Sequence, residues 1–210
     1  MKKINTLIIL SLINLITCKI FAQNESDTIF LLKGKDHSIY LEPNKNSVNY
    51  DYLSNFSQLQ LKNETAKILG LQTKWIPLYL YKGDYYLYQP CDLGTSSRVS
   101  FSNSEISIEG HEIYNFKTNS GLIKVDDSYY KLAYNAFEKS NICIEIHIID
   151  NPKGVAVFKF ITNDNKISYN LMVDSEKFKA FPLIVNNCRF NRTIEFGFDI
   201  LDFEGLINKK

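Results

Sequence analysis

Pro77-Leu78-Tyr79-Leu80-Tyr81-Lys82-Gly83-Asp84-Tyr85-Tyr86-Leu87-Tyr88-Gln89-Pro90 is the stretch whose reading decides the fold. Aromatic and aliphatic residues flank a Gly-Asp pair, and both flanks are rich in residues that suit a pleated, half-buried strand. Gly83-Asp84 suits a two-residue type II′ turn, which needs positive φ at its first position and so favours glycine there. That turn predicts Lys82 opposite Tyr85, Tyr81 opposite Tyr86, Leu80 opposite Leu87 and Tyr79 opposite Tyr88. Side chains alternate between faces along a strand, so Tyr79, Tyr81, Tyr86 and Tyr88 gather on one face and Leu78, Leu80 and Leu87 on the other. A face of four tyrosines can stack on a sugar ring or line a ligand cavity, with hydroxyl tips for orientation. Its ordinary role, which is the default, is to cover a half-exposed sheet. Trp75, the one tryptophan, stands just before this hairpin and belongs either to the core or to the same surface.

Similar signals run outward in both directions. Thr28 to Leu32 and Ser38 to Leu41 flank Lys33-Gly34-Lys35-Asp36 as an opening hairpin. Val99 to Phe101 with Ile106 to Ile108, and Val155 to Ile161 with Ile167 to Val173, read as two more. Ile167, Tyr169, Leu171 and Val173 share one face of their strand. Ile194, Phe196, Phe198 and Ile200 alternate with polar residues and predict a last half-buried strand. Two segments depart from this pattern. Asn63 to Leu69, followed by Gly70, fits a short helix with a glycine stop, and Asp127 to Lys139 fits either a helix or a strand. The fold expected is mainly β: a single-domain antiparallel β-barrel or sandwich with one or two short helices. In architecture alone such a chain resembles a lipocalin-like barrel; the Gly-x-Trp signature near the first strand of that family does not occur here.

Lys2 and Lys3 precede an apolar run from Ile4 to Ile16, and Phe21-Ala22-Gln23 supplies a small residue at a cleavage point. This is the layout of a signal peptide over residues 1–22, with residues 23–210 as one exported β domain, periplasmic or secreted. The run is interrupted by Asn5 and Asn14 and is shorter than the roughly 20 apolar residues of a spanning helix. Lipidation of Cys18, behind Leu15-Ile16-Thr17, is the alternative that would place the protein on a membrane.

Beyond Cys18 the chain has Cys91, Cys143 and Cys188, so at most one intramolecular disulfide can form. Cys91 and Cys188 are the pair if one forms, because both sit at strand ends or turns, whereas Cys143 lies within an apolar strand. Three free buried thiols are the default. Lys and Arg number 24 against 23 Asp and Glu, with no basic block, which excludes the electrostatic footprint of a nucleic-acid binder.

Catalytic signatures are few. Gly-x-Ser-x-Gly, phosphate-binding glycine loops and His-Glu-x-x-His are all absent, and His111-Glu112 lacks a second histidine. Cys143, Glu145 and His147 share one face of a strand and offer an acid/base pair or metal ligands. Alternate strand positions are about 7 Å apart, so zinc would need ligands from elsewhere. The ordinary reading is a solvated polar face. Glu109, Glu112, Asp126 and Asp127 are candidate glycosidase carboxylates by residue type only. No cofactor and no resident metal are expected. The leading expectation is a non-enzymatic exported binding protein for a small apolar or carbohydrate-like ligand, held by Tyr79, Tyr81, Tyr86, Tyr88 and Trp75 or in a barrel mouth. The alternatives are a cell-envelope module that binds another protein, and a hydrolase or metalloenzyme using Glu145 and His147.

Overall fold

The computed structural model describes residues 28–55, 67–91, 97–110, 112–135, 141–188 and 195–209. Residues 1–22 and Cys18 lie outside these. The structure is mainly β, and one long strand, β5 (Lys74–Tyr81), organises it. On one edge β5 pairs with β14 (Ile167–Asp174), from Trp75 opposite Asp174 to Leu78 opposite Leu171. Two strands share its other edge: β7 (Arg98–Phe101) takes Lys74 and Trp75, and β6 (Asp84–Gln89) takes Tyr79 to Tyr81.

Pro77 marks the fork. The Asp174 N–H donates to the Gly154 carbonyl, which sets the amide of Asp174 on the side of β13 (Val155–Thr162). Backbone direction alternates along an antiparallel ladder, so Met172 also bonds toward β13 while Leu171 and Val173 bond toward β5. Pro77 is opposite Met172. Its nitrogen therefore faces the other edge, between the end of β7 and the start of β6, where the missing N–H costs no ladder bond.

From β5 the large sheet continues through β14, β13, β12 (Asn141–Asp150) and β11 (Tyr129–Asn135) to β10 (Ile123–Lys124). In the other direction it runs through β7 and β8 (Glu105–Glu109) to β9 (Ile113–Lys117). A bridge from Thr118 to Tyr134 links the two arms, and the Asn119 N–H donates to the Ala133 carbonyl at 2.8 Å. The sheet curls nearly back on itself without forming a closed barrel. Its interior holds Trp75, Phe101, Ile144, Ile146, Phe158 and Met172 with their neighbours. A small hairpin of β3 (Lys67–Ile68) and β4 (Leu71–Gln72) adds Ile68 and Leu71.

β13 begins Val-Ala-Val-Phe because both of its faces are covered. Ala156 and Phe158 point into the curled interior, and Val155 and Val157 point outward to a second layer. That layer is β1 (Ile29–Lys33), β2 (His37–Glu42), β15 (Leu183–Cys188) and β6. The sheet is mixed rather than wholly antiparallel, since β15 runs parallel to β6. Leu87, Leu183 and Val185 meet Ile76, Leu78, Leu171 and Val173 between the layers. Each fully buried aliphatic side chain there contributes about 1.5–3 kcal/mol of transfer free energy. Helix α1 (Val48–Ser54) is too short to be stable alone. It is held by buried Tyr50 and Leu53, by the Tyr50 hydroxyl donating to the Phe181 carbonyl at 3.0 Å, and by Arg98 donating to the Tyr52 and Asn55 carbonyls. Helix α2 (Phe203–Asn208) starts at Asp202, whose carboxylate accepts from the Gly205 N–H, and packs Leu206 and Ile207 on the same cluster.

Two expectations about elements change, and one left open between helix and strand is decided. Lys67 and Ile68 form a strand, with Leu69 and Gly70 as its positive-φ turn, so the described part of the segment from Asn63 to Leu69 is not helical; residues 63–66 lie outside the described set. Tyr129 to Asn135 is strand β11, because alternate residues Tyr130, Leu132 and Tyr134 fill the curled interior; 136–139 lie outside the described set. Residues 195–200 join no ladder among the described residues, and Ile194 lies outside the described set.

Candidate functional site

The four tyrosines do share one face, but the turn between their strands differs from expectation. Lys82 and Gly83 both have positive φ, as a type I′ turn requires, and the pairs are Tyr81 with Asp84, Leu80 with Tyr85 and Tyr79 with Tyr86. The pairing is shifted by two residues from the register that Gly83-Asp84 implies, so that Tyr81 faces Asp84 where Tyr86 was expected. A shift by an even number of residues leaves the faces unchanged. Tyr79 and Tyr88 therefore meet edge-on at 5.7 Å, and Tyr81 and Tyr86 at 6.0 Å.

This face is covered by the chain itself. Phe198 stacks on Tyr79 at 4.5 Å and meets Tyr88 at 5.0 Å, while Phe196 meets Tyr81 at 4.9 Å. Segment 195–201 is thus a strap laid across the tyrosines, and it keeps the predicted alternation without becoming a strand. A latch holds its beginning. The Glu195 carboxylate accepts from the Tyr88 hydroxyl, from Asn186 Nδ2 at 3.0 Å and from the Cys91 N–H at 3.2 Å. Asn186 Nδ2 also donates to the Tyr88 oxygen, as does the Phe196 N–H at 3.0 Å, and His37 Nε2 lies 2.6 Å from Asn186 Oδ1. Burial, followed by the bond to Glu195, raises the Tyr88 phenol well above its usual range. Tyr88 is therefore a neutral donor at any physiological pH.

Beside this latch Cys91 and Cys188 form a disulfide that ties the end of β6 to the end of β15. The expectation of three free thiols is corrected. Parallel pairing of β6 with β15 brings these two strand ends side by side, whereas Cys143 sits mid-strand on β12 and remains free.

Trp75 is separated from the tyrosines. It is 1% exposed, lies inside the curled sheet 5.2 Å from Phe158, and donates its Nε1–H to the Gln72 carbonyl. Trp75 and Tyr79 are an even number of residues apart, yet β5 passes from one layer to the other between them, so they enter different clusters.

The same fork opens a cleft of about 320 Å³. Beyond Leu78 and Leu171 the strands β5 and β14 part, and the strap crosses the opening. The Asp199 N–H donates to the Leu80 carbonyl at 2.9 Å, and its carboxylate accepts from the Lys82 N–H at 2.7 Å. Two stacked ring pairs line the cleft: Tyr79 with Phe198, and Tyr169 with Phe203 at 5.1 Å. Ser97 and Asn170 also line it, and neither side chain has a hydrogen-bond partner among the described residues. Sequence reasoning reached Tyr79 and the facing of Tyr169. It missed Asn170, Ser97 and the strap residues, since only the fork brings them together.

Glu145 and His147 lie on the outer face of β11 and β12. Glu145 accepts from the Tyr129 hydroxyl at 2.7 Å, pairs with Lys131 at 3.2 Å, and has His147 at 3.8 Å, which itself stacks on Tyr129. Desolvation opposes ionisation of Glu145, but the bonds from Tyr129 and Lys131 outweigh it and its pKa is lowered. Neither residue lines the cleft. The other acidic candidates are engaged separately: buried Glu109 pairs with Arg98 at 3.1 Å, Glu112 accepts from Tyr114, Asp126 from Ser128, and Asp127 pairs with Lys124. His111 lies outside the described residues. Among the described residues, no three His, Cys, Asp or Glu side chains converge as a metal site requires, and no helix is long and apolar enough to cross a membrane. No protein family, no curated protein and no solved structure matches this chain.

Proposed function

We propose that the chain is an exported, non-enzymatic binding protein whose small ligand occupies the cleft at the β5 fork. The observation that carries this reading is the cleft itself, where two stacked aromatic pairs stand beside the uncommitted polar groups of Ser97 and Asn170. Ligand sites of this kind combine mostly apolar walls with a few placed polar groups. The binding surface is thus narrower than the whole tyrosine face: Tyr79 borders the cleft, whereas Phe196 and Phe198 already cover Tyr81 and Tyr88. Export is supported by the signal-like residues 1–22 and by the Cys91–Cys188 disulfide, which persists in an oxidising compartment.

Native and denaturing mass spectrometry of the protein from its exported fraction tests this. The expected result is cleavage near Ala22 with an extra mass that disappears on denaturation. A bare polypeptide mass that stays bare after incubation with small-molecule mixtures would count against it. The second reading, an envelope module that binds another protein, draws on edge strand β1. There Ile29 and Leu32 are 61% and 47% exposed beside a backbone edge that pairs with no other strand among the described residues. Such an edge is a template for strand addition. Cross-linking from β1 to one partner in intact cells, with no small molecule bound, is the result that would favour it.

A further inference from the structure

We infer that the ligand of this cleft is a neutral sugar, a monosaccharide or the terminal ring of a short glycan; this rests on the binding reading above. The charge of the lining argues first. Among the described residues that line the cleft there is no Lys, Arg or His, and the one carboxylate is Asp199. A phosphate, sulfate or carboxylate ligand would meet no cation in the lining and one carboxylate, and the nearby Lys159 ammonium, 5.6 Å from the Tyr169 ring, is already paired with Glu204 at 3.0 Å. The shape of the polar groups argues second. Asn170 offers both donors and an acceptor, Ser97 a hydroxyl, and Asp199 has one oxygen engaged by the Lys82 N–H and another with no partner among the described residues. Ladder alternation also turns the Tyr169 N–H and carbonyl toward the β5 side, past the last pair between β14 and β5. Adjacent hydroxyls on a ring, each both donor and acceptor, match that mixed set; a plain acyl chain would leave all of it unsatisfied.

The aromatic walls argue third. A sugar ring is polar at its rim and apolar on its C–H faces, and the stacked pairs Tyr79–Phe198 and Tyr169–Phe203 provide apolar surface around the polar groups. At about 320 Å³ the cleft lies at the small end of the roughly 300–1,000 Å³ typical of ligand sites, which suits one or two rings.

The test is a titration of the isotope-labelled protein with glucose, galactose, mannose, N-acetylglucosamine and cellobiose, set beside glucose 6-phosphate and dodecanoate, with amide shifts as the readout. At least one neutral sugar is expected to shift Asn170, Tyr169 and Asp199. Its affinity should fall about three- to tenfold in Asn170→Ala, the cost of one or two lost hydrogen bonds, with the circular dichroism unchanged. A phosphorylated form of that sugar should bind more weakly, and Asp199→Asn should narrow the difference. If dodecanoate alone shifts the cleft residues, the sugar inference is overturned while the binding reading stands. If no probe shifts them and the native mass is bare, both fall.

Discussion

The curled interior around Trp75 and the strapped face around Tyr79 and Tyr81 take up the two halves of one strand, β5, yet they are held by different physics. The interior is apolar: Ile144, Ile146, Phe158, Met172 and Val99 are fully buried, and the Trp75 indole within it donates to the Gln72 carbonyl. Burial of apolar area and close packing stabilise it. The strapped face is also aromatic, but its cover is a segment outside any ladder. That segment is fixed by the carboxylates of Glu195 and Asp199, by the Asn186 amide and by the Tyr88 phenol, beside a disulfide that ties the ends of β6 and β15. Packing of the first kind is distributed over many residues and tolerates small losses. A latch of the second kind concentrates its effect in a few groups, each of which leaves a partner unsatisfied when removed.

Trp75→Ala should have the largest effect, about 3–5 kcal/mol, as expected for removing a large buried aromatic side chain; urea unfolding followed by far-UV circular dichroism measures it. Replacing Cys91 and Cys188 together by serine should cost about 2–4 kcal/mol, since the bridge closes a long loop. Unlike the first variant, it should expose the strap to proteolysis before the rest of the chain unfolds. Glu195→Ala should cost about 1.5–3 kcal/mol through the donors of Tyr88, Asn186 and Cys91 left without their acceptor. Unchanged proteolysis of the strap in that variant would break the distinction between the two regions.

Glu145 sharpens the comparison from the other side. Its pKa in the folded protein is lowered, so the stability it contributes is complete above the unfolded carboxylate value of about 4.3 and is lost as pH falls through the folded value. Glu145→Gln should therefore be slightly less stable than the parent at neutral pH and indistinguishable from it in strong acid. The difference should be at most about 1 kcal/mol, because this pair faces solvent. Denaturation series across pH check it.

The apolar half of this contrast was legible in the sequence, and the latched half was not. Period-two alternation located the hairpins of β1–β2, β7–β8 and β13–β14, and it gathered the tyrosines on one face even though the turn falls at Lys82-Gly83. Local alternation survives an even shift of register, which is why the faces were predicted while the partners were not. The helix expected around Asn63 to Leu69 rested on cap and stop residues; Leu69-Gly70 serves as a hairpin turn instead because Ile68 and Leu71 are drawn into the interior. Glu195 bonding to Tyr88, and Asn170 and Phe203 lining one cleft, bring together residues far apart in the chain. No periodicity carries such contacts. The fork at Pro77 was also hidden, since a proline within a strand normally argues for an edge, and only a strand with two successive partners on one side explains it.

Hydrogen exchange of the strap, with the disulfide intact and then reduced, tests the central contrast most directly. In the oxidised protein the Phe196 and Asp199 amides, bonded to the Tyr88 oxygen and the Leu80 carbonyl, should be protected. Reduction should erase that protection while Ile144, Ile146 and Phe158 in the curled sheet keep theirs. Strap amides that exchange freely in the oxidised protein, or protection lost from both regions together on reduction, would contradict the account.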